Sequence, residues 1–184
     1  MRKSARAVVV VAVVIAGLAA LETVAGARAR SAEVRDPERL AALAAMDEAL
    51  ARRDLAAAAQ AWQQARQLAL RSRGWRAPVE AAEAELRLAV ATDRVRESKP
   101  TARELLLVAL FRARAERATE GALRVAEGFA RLGDRDAAQL ALRLAENVAA
   151  HHGDSTDQAR VRLVGERIHR PGTVGPAAPT LAGS

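Results

Sequence analysis

Residues 123–150 read LRVAEGFARLGDRDAAQLALRLAENVAA, and this stretch decides the fold. Apolar residues recur every three or four positions on both sides of Gly133 and Asp134, which is the spacing of one face of an α-helix. Glycine readily adopts the left-handed conformation that ends a helix, and aspartate is a preferred N-terminal cap. The stretch therefore predicts two amphipathic helices joined by a short turn.

Helical patterning extends over residues 36–170. Asp36 followed by Pro37 predicts the first helix start, because aspartate caps the end amides and proline suits the first helical position. Pro100 predicts that a helix ends before it, and the capping-box spacing of Thr101 and Glu104 predicts a new start. The predicted helices cover residues 39–52, 55–70, 79–96, 101–117, 119–132, 136–150 and 155–169.

Residues 105–111 read LLLVALF, an apolar run that fits either a buried strand or a buried helix. The capping box before the run and its leucine and alanine content favour a helix. Such a helix should be surrounded on most sides in the middle of a helical stack. We therefore expect an all-α fold of about seven helices.

The composition excludes several classes of protein. The chain is 51% hydrophobic and has no cysteine, which excludes disulfides and cysteine-ligated zinc. Its net charge is +7, but arginines alternate with acidic residues along the helices, and the aromatic residues are only two Trp and two Phe. A nucleic-acid surface typically combines a one-sided basic patch with stacking aromatics. We therefore expect a solvated charged surface and no nucleic-acid partner.

Motifs of catalysis are absent from the sequence. It has no Gly-x-Ser-x-Gly turn, no HExxH pair and no glycine-rich phosphate loop. His151 and His152 offer ligand chemistry, but adjacent side chains on a helix point about 100° apart, and histidine is also favoured at a helix C-terminus. We expect a protein that is not an enzyme, with no cofactor, no metal and no small-molecule substrate.

The first 27 residues predict a targeting segment. Arg2, Lys3 and Arg6 precede an apolar run over residues 7–21, and residues 25–27, AGA, form a small-x-small cleavage site. Two interpretations fit this pattern. Either a signal peptide is cleaved after residue 27, or residues 7–27 stay as an anchor, because they are long enough to cross about 30 Å of hydrocarbon.

The remaining boundaries follow from composition. Residues 28–35 form a predicted linker, residues 36–170 the helical domain, and residues 171–184, rich in proline, glycine and small residues, a predicted disordered tail. We expect an exported protein of the bacterial cell envelope, either periplasmic or anchored in the inner membrane with its helical domain outside the cytoplasm.

One helical pair resembles a tetratricopeptide repeat, a family of helical hairpins with a period of about 34 residues and small and large residues at fixed offsets. The matching residues of the pair are Leu123, Val125, Ala126, Phe129, Ala138, Leu142 and Ala145. A second, degenerate copy upstream has Met46, Leu50, Ala58, Trp62 and Ala65 at the corresponding offsets. The interval between the copies is not a multiple of 34, which predicts an insertion near Gly74 or an elongated helix between them.

The resemblance implies a short α-solenoid of about three antiparallel hairpins and a capping helix, with a repeat core of Ala58, Trp62, Ala65, Ala126, Phe129, Ala138, Leu142 and Ala145. The competing interpretation of the pattern is a plain alanine-rich helical bundle. In the family, the first helix of each hairpin lines a concave groove, which would place Arg124, Glu127 and Arg131 there.

These three residues have two interpretations. Arginines one or two turns apart are able to clamp a carboxylate of a partner peptide. Alternatively, Glu127 lies between Arg124 and Arg131 as an i, i+3 and i, i+4 partner on a solvated helix face. Trp62 and Trp75 likewise fit a ligand pocket or simple core packing, and the position of Trp62 in the repeat favours packing.

The sequence thus predicts a non-catalytic interaction or assembly module that binds a protein partner through a groove. The alternative is an alanine-rich structural subunit, which oligomerises or supports an anchored complex without a peptide groove.

Overall fold

The computed structural model describes residues 36–152 and 155–169, and within them the chain forms seven α-helices and no strand. The helices are α1 (Pro37–Ala51), α2 (Leu55–Arg71), α3 (Arg76–Ala91), α4 (Val95–Ala115), α5 (Thr119–Leu132), α6 (Arg135–His152) and α7 (Ser155–His169). The prediction of an all-α fold with about seven helices is confirmed for this part of the chain.

The helices pack as three successive hairpins, α1–α2, α3–α4 and α5–α6, followed by α7. Each helix packs most closely against its hairpin partner, and the odd-numbered helices α1, α3, α5 and α7 also pack against one another in sequence. Ion pairs give the relative direction of α1 and α3, because Arg39 pairs with Glu80 and, about two turns further along both helices, Asp47 pairs with Arg87. The two helices are therefore parallel, and the hairpins stack in a repeat-like arrangement.

Four of the connections have the same hydrogen-bonded turn. In each, one residue in the left-handed region donates to the carbonyl three residues back, and the next residue donates to the carbonyl five back. This is the Schellman motif, which satisfies the last carbonyls of a helix. The left-handed residues are Arg53 (φ 60°), Asp93 (φ 55°), Arg117 (φ 51°) and Gly133 (φ 79°).

Helix caps at three predicted starts are confirmed. The carboxylate of Asp36 accepts from the Arg39 amide and that of Asp54 from the Ala57 amide, at 3.3 and 3.0 Å. Asp134 accepts from the Ala137 amide at 3.2 Å, directly after the left-handed Gly133. The pair that decided the fold therefore begins and ends close to where its residues predict.

Three predicted boundaries in the middle of the chain are wrong. Helix α3 begins at Arg76 and ends at Ala91, whereas the pattern predicted residues 79–96. The predicted start at Thr101 is also wrong, because α4 begins at Val95 and contains Pro100. This proline lies in the second turn, and its ring removes one helical hydrogen bond, the one to the carbonyl of Arg96, which is also an exposed residue.

The elongated α4 lies between the two matching copies and carries the apolar run over residues 105–111. Leu105, Leu106, Ala109 and Leu110 are buried, in agreement with the predicted helix. Phe111 does not follow the prediction of a helix surrounded on most sides, because its side chain is 67% exposed. The helix therefore has one free apolar position near its C-terminal end.

The core is built mainly from alanine and leucine. All eight residues that the resemblance assigns to the repeat core are buried, and Ala58, Ala65, Ala126, Phe129, Ala138 and Ala145 are fully so. Trp62 also connects two hairpins, since its indole N–H donates to the Ala81 carbonyl of α3 at 3.1 Å. Small residues allow close helix approach at α5, where Gly128 lies against the side chain of Leu106.

The predicted targeting segment (residues 1–27), linker (28–35) and tail (171–184) lie outside the described residues. Among the helices that are described, none has the length and apolar character needed to cross a membrane.

Candidate binding face

The exposed side of the odd-numbered helices forms one continuous surface, which we call the odd-helix face. Ion pairs connect each odd-numbered helix to the next across this face. The pairs are Arg39–Glu80 and Arg87–Asp47 between α1 and α3, Arg76–Glu120, Arg124–Glu83 and Arg131–Glu83 between α3 and α5, and Arg167–Glu127 between α5 and α7. The face is therefore strongly charged and largely self-paired.

The three residues predicted to line a groove lie together on α5, on this face. Arg124 Nη2 is 3.2 and 3.0 Å from the two carboxylate oxygens of Glu83, and Arg131 Nη2 is 3.2 Å from one of them. Glu127 is engaged elsewhere, because its carboxylate accepts from Arg167 Nη1 at 2.7 Å. The structure thus brings all three residues together, with partners from α3 and α7.

These partners differ from the i, i+4 pairing of the solvated-face interpretation. Arg131 does contact Glu127, but through its Nε and the Glu127 backbone carbonyl at 3.4 Å, while the Glu127 carboxylate goes to α7. The sequence reasoning missed Glu83 and Arg167, which are about 40 positions away in the chain. No local pattern identifies partners at that separation.

Glu83 is the centre of this cluster. One carboxylate neutralises one positive charge, yet two guanidinium groups share it, so Arg124 and Arg131 together carry one charge in excess. The side chains of Arg124 and Arg131 are 36% and 51% exposed, which leaves donors of both accessible from the solvent. Guanidinium groups bind carboxylates with paired N–H donors. The arrangement is thus able to accept a second carboxylate.

At the first hairpin, the arginine of the odd-helix face is buried and engaged with carboxylates of its own chain. Arg39 is only 7% exposed and donates to both Asp36 and Glu80. Burial alone would lower the pKa of Arg39, but the hydrogen bonds to Glu80 and Asp36 outweigh burial and raise the pKa above its ordinary value. This arginine holds α1 onto α3, and its burial keeps it from contact with a partner.

A buried charge lies between α2 and α3. Glu85 is only 9% exposed, and burial raises its pKa, an effect that the nearby Arg66 partly offsets. The Arg66 guanidinium pairs with Glu104 of α4 at 3.3 Å, and its Nε is buried without a hydrogen bond. The buried carboxylate of Glu85 therefore lowers the stability of the fold at neutral pH, and its surroundings offer no ligand chemistry.

The connection from α2 to α3 is held by a residue that the sequence analysis did not single out. Arg112 of α4 donates to the carbonyls of Ala69, Leu70 and Gly74 at 3.1, 2.8 and 3.2 Å, and to the Ser72 hydroxyl at 3.2 Å. These bonds satisfy the C-terminal end of α2, where no Schellman turn is present. In the sequence, only the gap between the predicted helices over residues 55–70 and 79–96, which contains Gly74, indicates this connection.

The other candidates contact residues of their own fold. Trp75 is 5% exposed, its ring covers Gly121 of α5, and the Arg76 guanidinium lies 5.1 Å from a ring centroid. His151 contacts its own helix, with Nδ1 at 2.6 Å from the Asn147 carbonyl. The His152 side chain, Gly153 and Asp154 lie outside the described residues, and among those described no group of His, Cys, Asp and Glu could hold a metal.

The described chain is thus an all-α protein with a repeat-like stack of helical hairpins and a charged face along its odd-numbered helices. Comparison with protein-family models, with curated proteins and with solved structures found no match. The function is accordingly argued from the geometry.

Proposed function

We propose that this protein is a non-catalytic interaction or assembly module that binds an acidic segment of a protein partner on the odd-helix face. The observation that carries the proposal is the sharing of Glu83 by Arg124 and Arg131. The stacked hairpins, which resemble tetratricopeptide repeats, support it because such stacks present side chains from successive first helices to one ligand. The predicted targeting segment extends the proposal to a role in the cell envelope.

In this proposal Glu83 is an internal competitor. A partner carboxylate exchanges with it on the two guanidinium groups, whose exposed N–H donors give paired hydrogen bonds to the incoming group. Removing the charge of Glu83 while keeping its shape should therefore strengthen binding. A face that is only a solvated surface gives the opposite result or none, since exposed ion pairs contribute about 0.2–1 kcal/mol each to stability and nothing to recognition.

The test is partner capture from an envelope extract, with quantified affinity once the partner is isolated. Arg124→Gln combined with Arg131→Gln should weaken binding at least about 10-fold, and Glu83→Gln should strengthen it by about 2- to 5-fold. The matched control is Arg87→Gln, which removes one exposed arginine from α3 on the same face outside the cluster. Equal binding by all three variants would refute the proposal that Arg124 and Arg131 bind the partner.

The second candidate is a structural subunit, which the 67% exposure of Phe111 on α4 favours. Self-association that buries this side chain would be favourable, because burying a Phe side chain contributes about 1.5–3 kcal/mol. Phe111→Ser should convert a dimer to a monomer in light scattering if this candidate holds. The same substitution should leave the molar mass measured by light scattering unchanged if the odd-helix face is the only binding surface.

A further inference from the structure

The two ends of the hairpin stack differ in unpaired charge. We call the end where α1, α3 and α5 begin, and where α2 and α4 end, the N-terminal edge; the opposite end carries the turns within the hairpins. Because α1 and α3 are parallel and successive helices are antiparallel, the α2–α3 connection and the α4–α5 turn lie at the N-terminal edge. The bonds from Arg112 to residues 69–74 show directly that these two segments meet.

Four exposed arginines concentrate at this edge: Arg71, Arg73, Arg114 and Arg117. None of them forms an ion pair with a described residue. The acidic groups nearby have other arginines as partners: Asp36 and Glu80 are bonded to Arg39, Glu120 is bonded to Arg76, and Glu116 faces Arg112 and Arg76. Only Glu38 remains without an ion pair among the described acids at the start of α1.

The opposite edge has no such excess. Arg52 pairs with Glu48, Arg94 with Glu97 and Arg103 with Asp134. The remaining bases at the hairpin turns and adjoining helix starts, Arg53, Arg96, Lys99 and Arg135, are interspersed with Asp54, Asp93 and Asp136. The unbalanced positive charge of the described domain therefore lies at one end of the stack.

That end is also the one from which the chain leads back to its apolar N-terminal run. Residues 28–35 separate α1 from the predicted segment over residues 7–27, and eight extended residues reach at most about 28 Å. If residues 7–27 span a bilayer, the linker keeps the start of α1 within about 28 Å of the membrane surface. Each arginine near an anionic leaflet strengthens the attraction about fivefold, and the attraction falls off within a Debye length of about 8 Å.

We propose that residues 7–27 are retained as a membrane anchor and that the N-terminal edge docks on anionic phospholipid headgroups through Arg71, Arg73, Arg114 and Arg117. Docking fixes the stack upright, with the hairpin turns away from the membrane and the odd-helix face accessible from the side. The inference goes beyond partner binding, because it assigns a lipid surface to residues that the odd-helix face does not use.

The absence of cysteine permits a direct test with the full-length chain. Single-cysteine variants Ala115→Cys, at the N-terminal edge, and Ala91→Cys, at the opposite edge, take a fluorophore on exposed positions. Each is reconstituted into phosphatidylcholine vesicles with or without about 30% phosphatidylglycerol, and quenching by a headgroup nitroxide lipid is measured. The label at position 115 should be quenched at least about twofold more strongly in anionic vesicles, and this excess should disappear at about 0.5 M salt. The label at position 91 should stay unquenched.

Charge variants complete the design. Replacing Arg71, Arg73, Arg114 and Arg117 by Glu should abolish the excess quenching, and replacing the same four by Gln, a milder change, should reduce it by at least half. The matched control replaces Arg53, Arg96, Lys99 and Arg135 by Glu. Its change in charge is the same, and like the first set it includes one residue in the left-handed region. This control should retain the excess quenching in anionic vesicles. Circular dichroism of all three variants checks that the helices are intact.

Several results would overturn the proposal: quenching that is independent of lipid charge, an equal loss of excess quenching in the control variant, or an intact mass that corresponds to a mature chain starting at Arg28. A mixed-sequence RNA oligonucleotide that binds the full-length chain, and loses binding in the same arginine variant, would assign the edge to nucleic acid. Partner capture on the odd-helix face should be unaffected by these substitutions, so failure of either proposal is recognisable without the other.

Discussion

Arg112 should contribute more to the free energy of unfolding than any other exposed or half-buried charged residue, because its hydrogen bonds replace a missing turn motif. Its guanidinium makes four hydrogen bonds, three to backbone carbonyls and one to Ser72. The perturbation that isolates this role is Arg112→Met, which keeps most of the aliphatic stem and removes all donors.

The magnitude follows from the contacts. A hydrogen bond contributes about 0.5–1.5 kcal/mol net, so four give about 2–6 kcal/mol. Two effects reduce this sum. Burial lowers the pKa of Arg112, which shows that charging this group in the folded protein has a cost, and water reaches some of the released carbonyls because the site is half-buried. We expect Arg112→Met to lower the free energy of unfolding by about 2–4 kcal/mol.

The assay is urea unfolding followed by circular dichroism, with hydrogen exchange to locate the effect. Arg114→Met is the matched control, since Arg114 lies on the same helix and has no ion-pair partner among the described residues; it should change stability by less than about 0.5 kcal/mol. Amides of residues 70–76 should exchange faster in Arg112→Met than in the control. Equal stability of the two variants, or a loss of stability without faster exchange at residues 70–76, would refute the reasoning.

The remaining predictions concern the core, the turns and a buried carboxyl. Phe129→Ala should cost about 3–5 kcal/mol in thermal or urea unfolding because Phe129 is fully buried, whereas Leu163→Ala, at a 58% exposed position, should cost less than about 1. Arg53→Gly should stabilise by about 0.5–1 kcal/mol, because glycine suits its φ of 60°, while Arg52→Gly, at φ −82°, should not; a destabilised Arg53→Gly chain would contradict the turn assignment. Burial raises the pKa of Glu85, so the folded state holds its proton to higher pH than the unfolded state, and stability should fall as pH rises from 4.5 through the folded-state pKa. Glu85→Gln should remove that fall and be the more stable protein at pH 7, and parallel pH profiles of the two proteins would contradict the assigned burial cost.

Local chemistry made the ends of the chain's best hairpin predictable. Gly133 and Asp134 are adjacent, and together they specify a left-handed residue and a cap without help from the rest of the fold. The α3–α4 turn has no such residues: Asp93 takes the left-handed position and Arg94 caps with no side-chain bond. Packing of the two helices decides that turn, so the pattern placed it incorrectly.

Pro100 misled the prediction for a related reason. Proline disfavours a helical residue before it, but near a helix start it removes only one hydrogen bond, and burial of the apolar Ala102 and Leu105 in the same helix offsets that loss. The candidate site shows the same limit at longer range. Arg124 and Arg131 were identifiable as exposed α5 residues, yet their partner Glu83 comes from another hairpin, and only the packing of α3 against α5 brings it there.

The connection from α2 to α3 decides whether the odd-helix face exists as one surface. The Schellman turn occurs both within hairpins and between the second and third, so it does not by itself determine how hairpins stack. Between the first and second hairpins that turn is absent, and Arg112 and Trp62 supply long-range bonds from α4 to the loop and from α2 to α3. Since α1 reaches α3 only through side chains such as Arg39, loosening this connection should misalign α1 against the rest of the face. Arg112→Met should therefore weaken partner capture together with stability, whereas Arg124→Gln with Arg131→Gln should weaken capture alone.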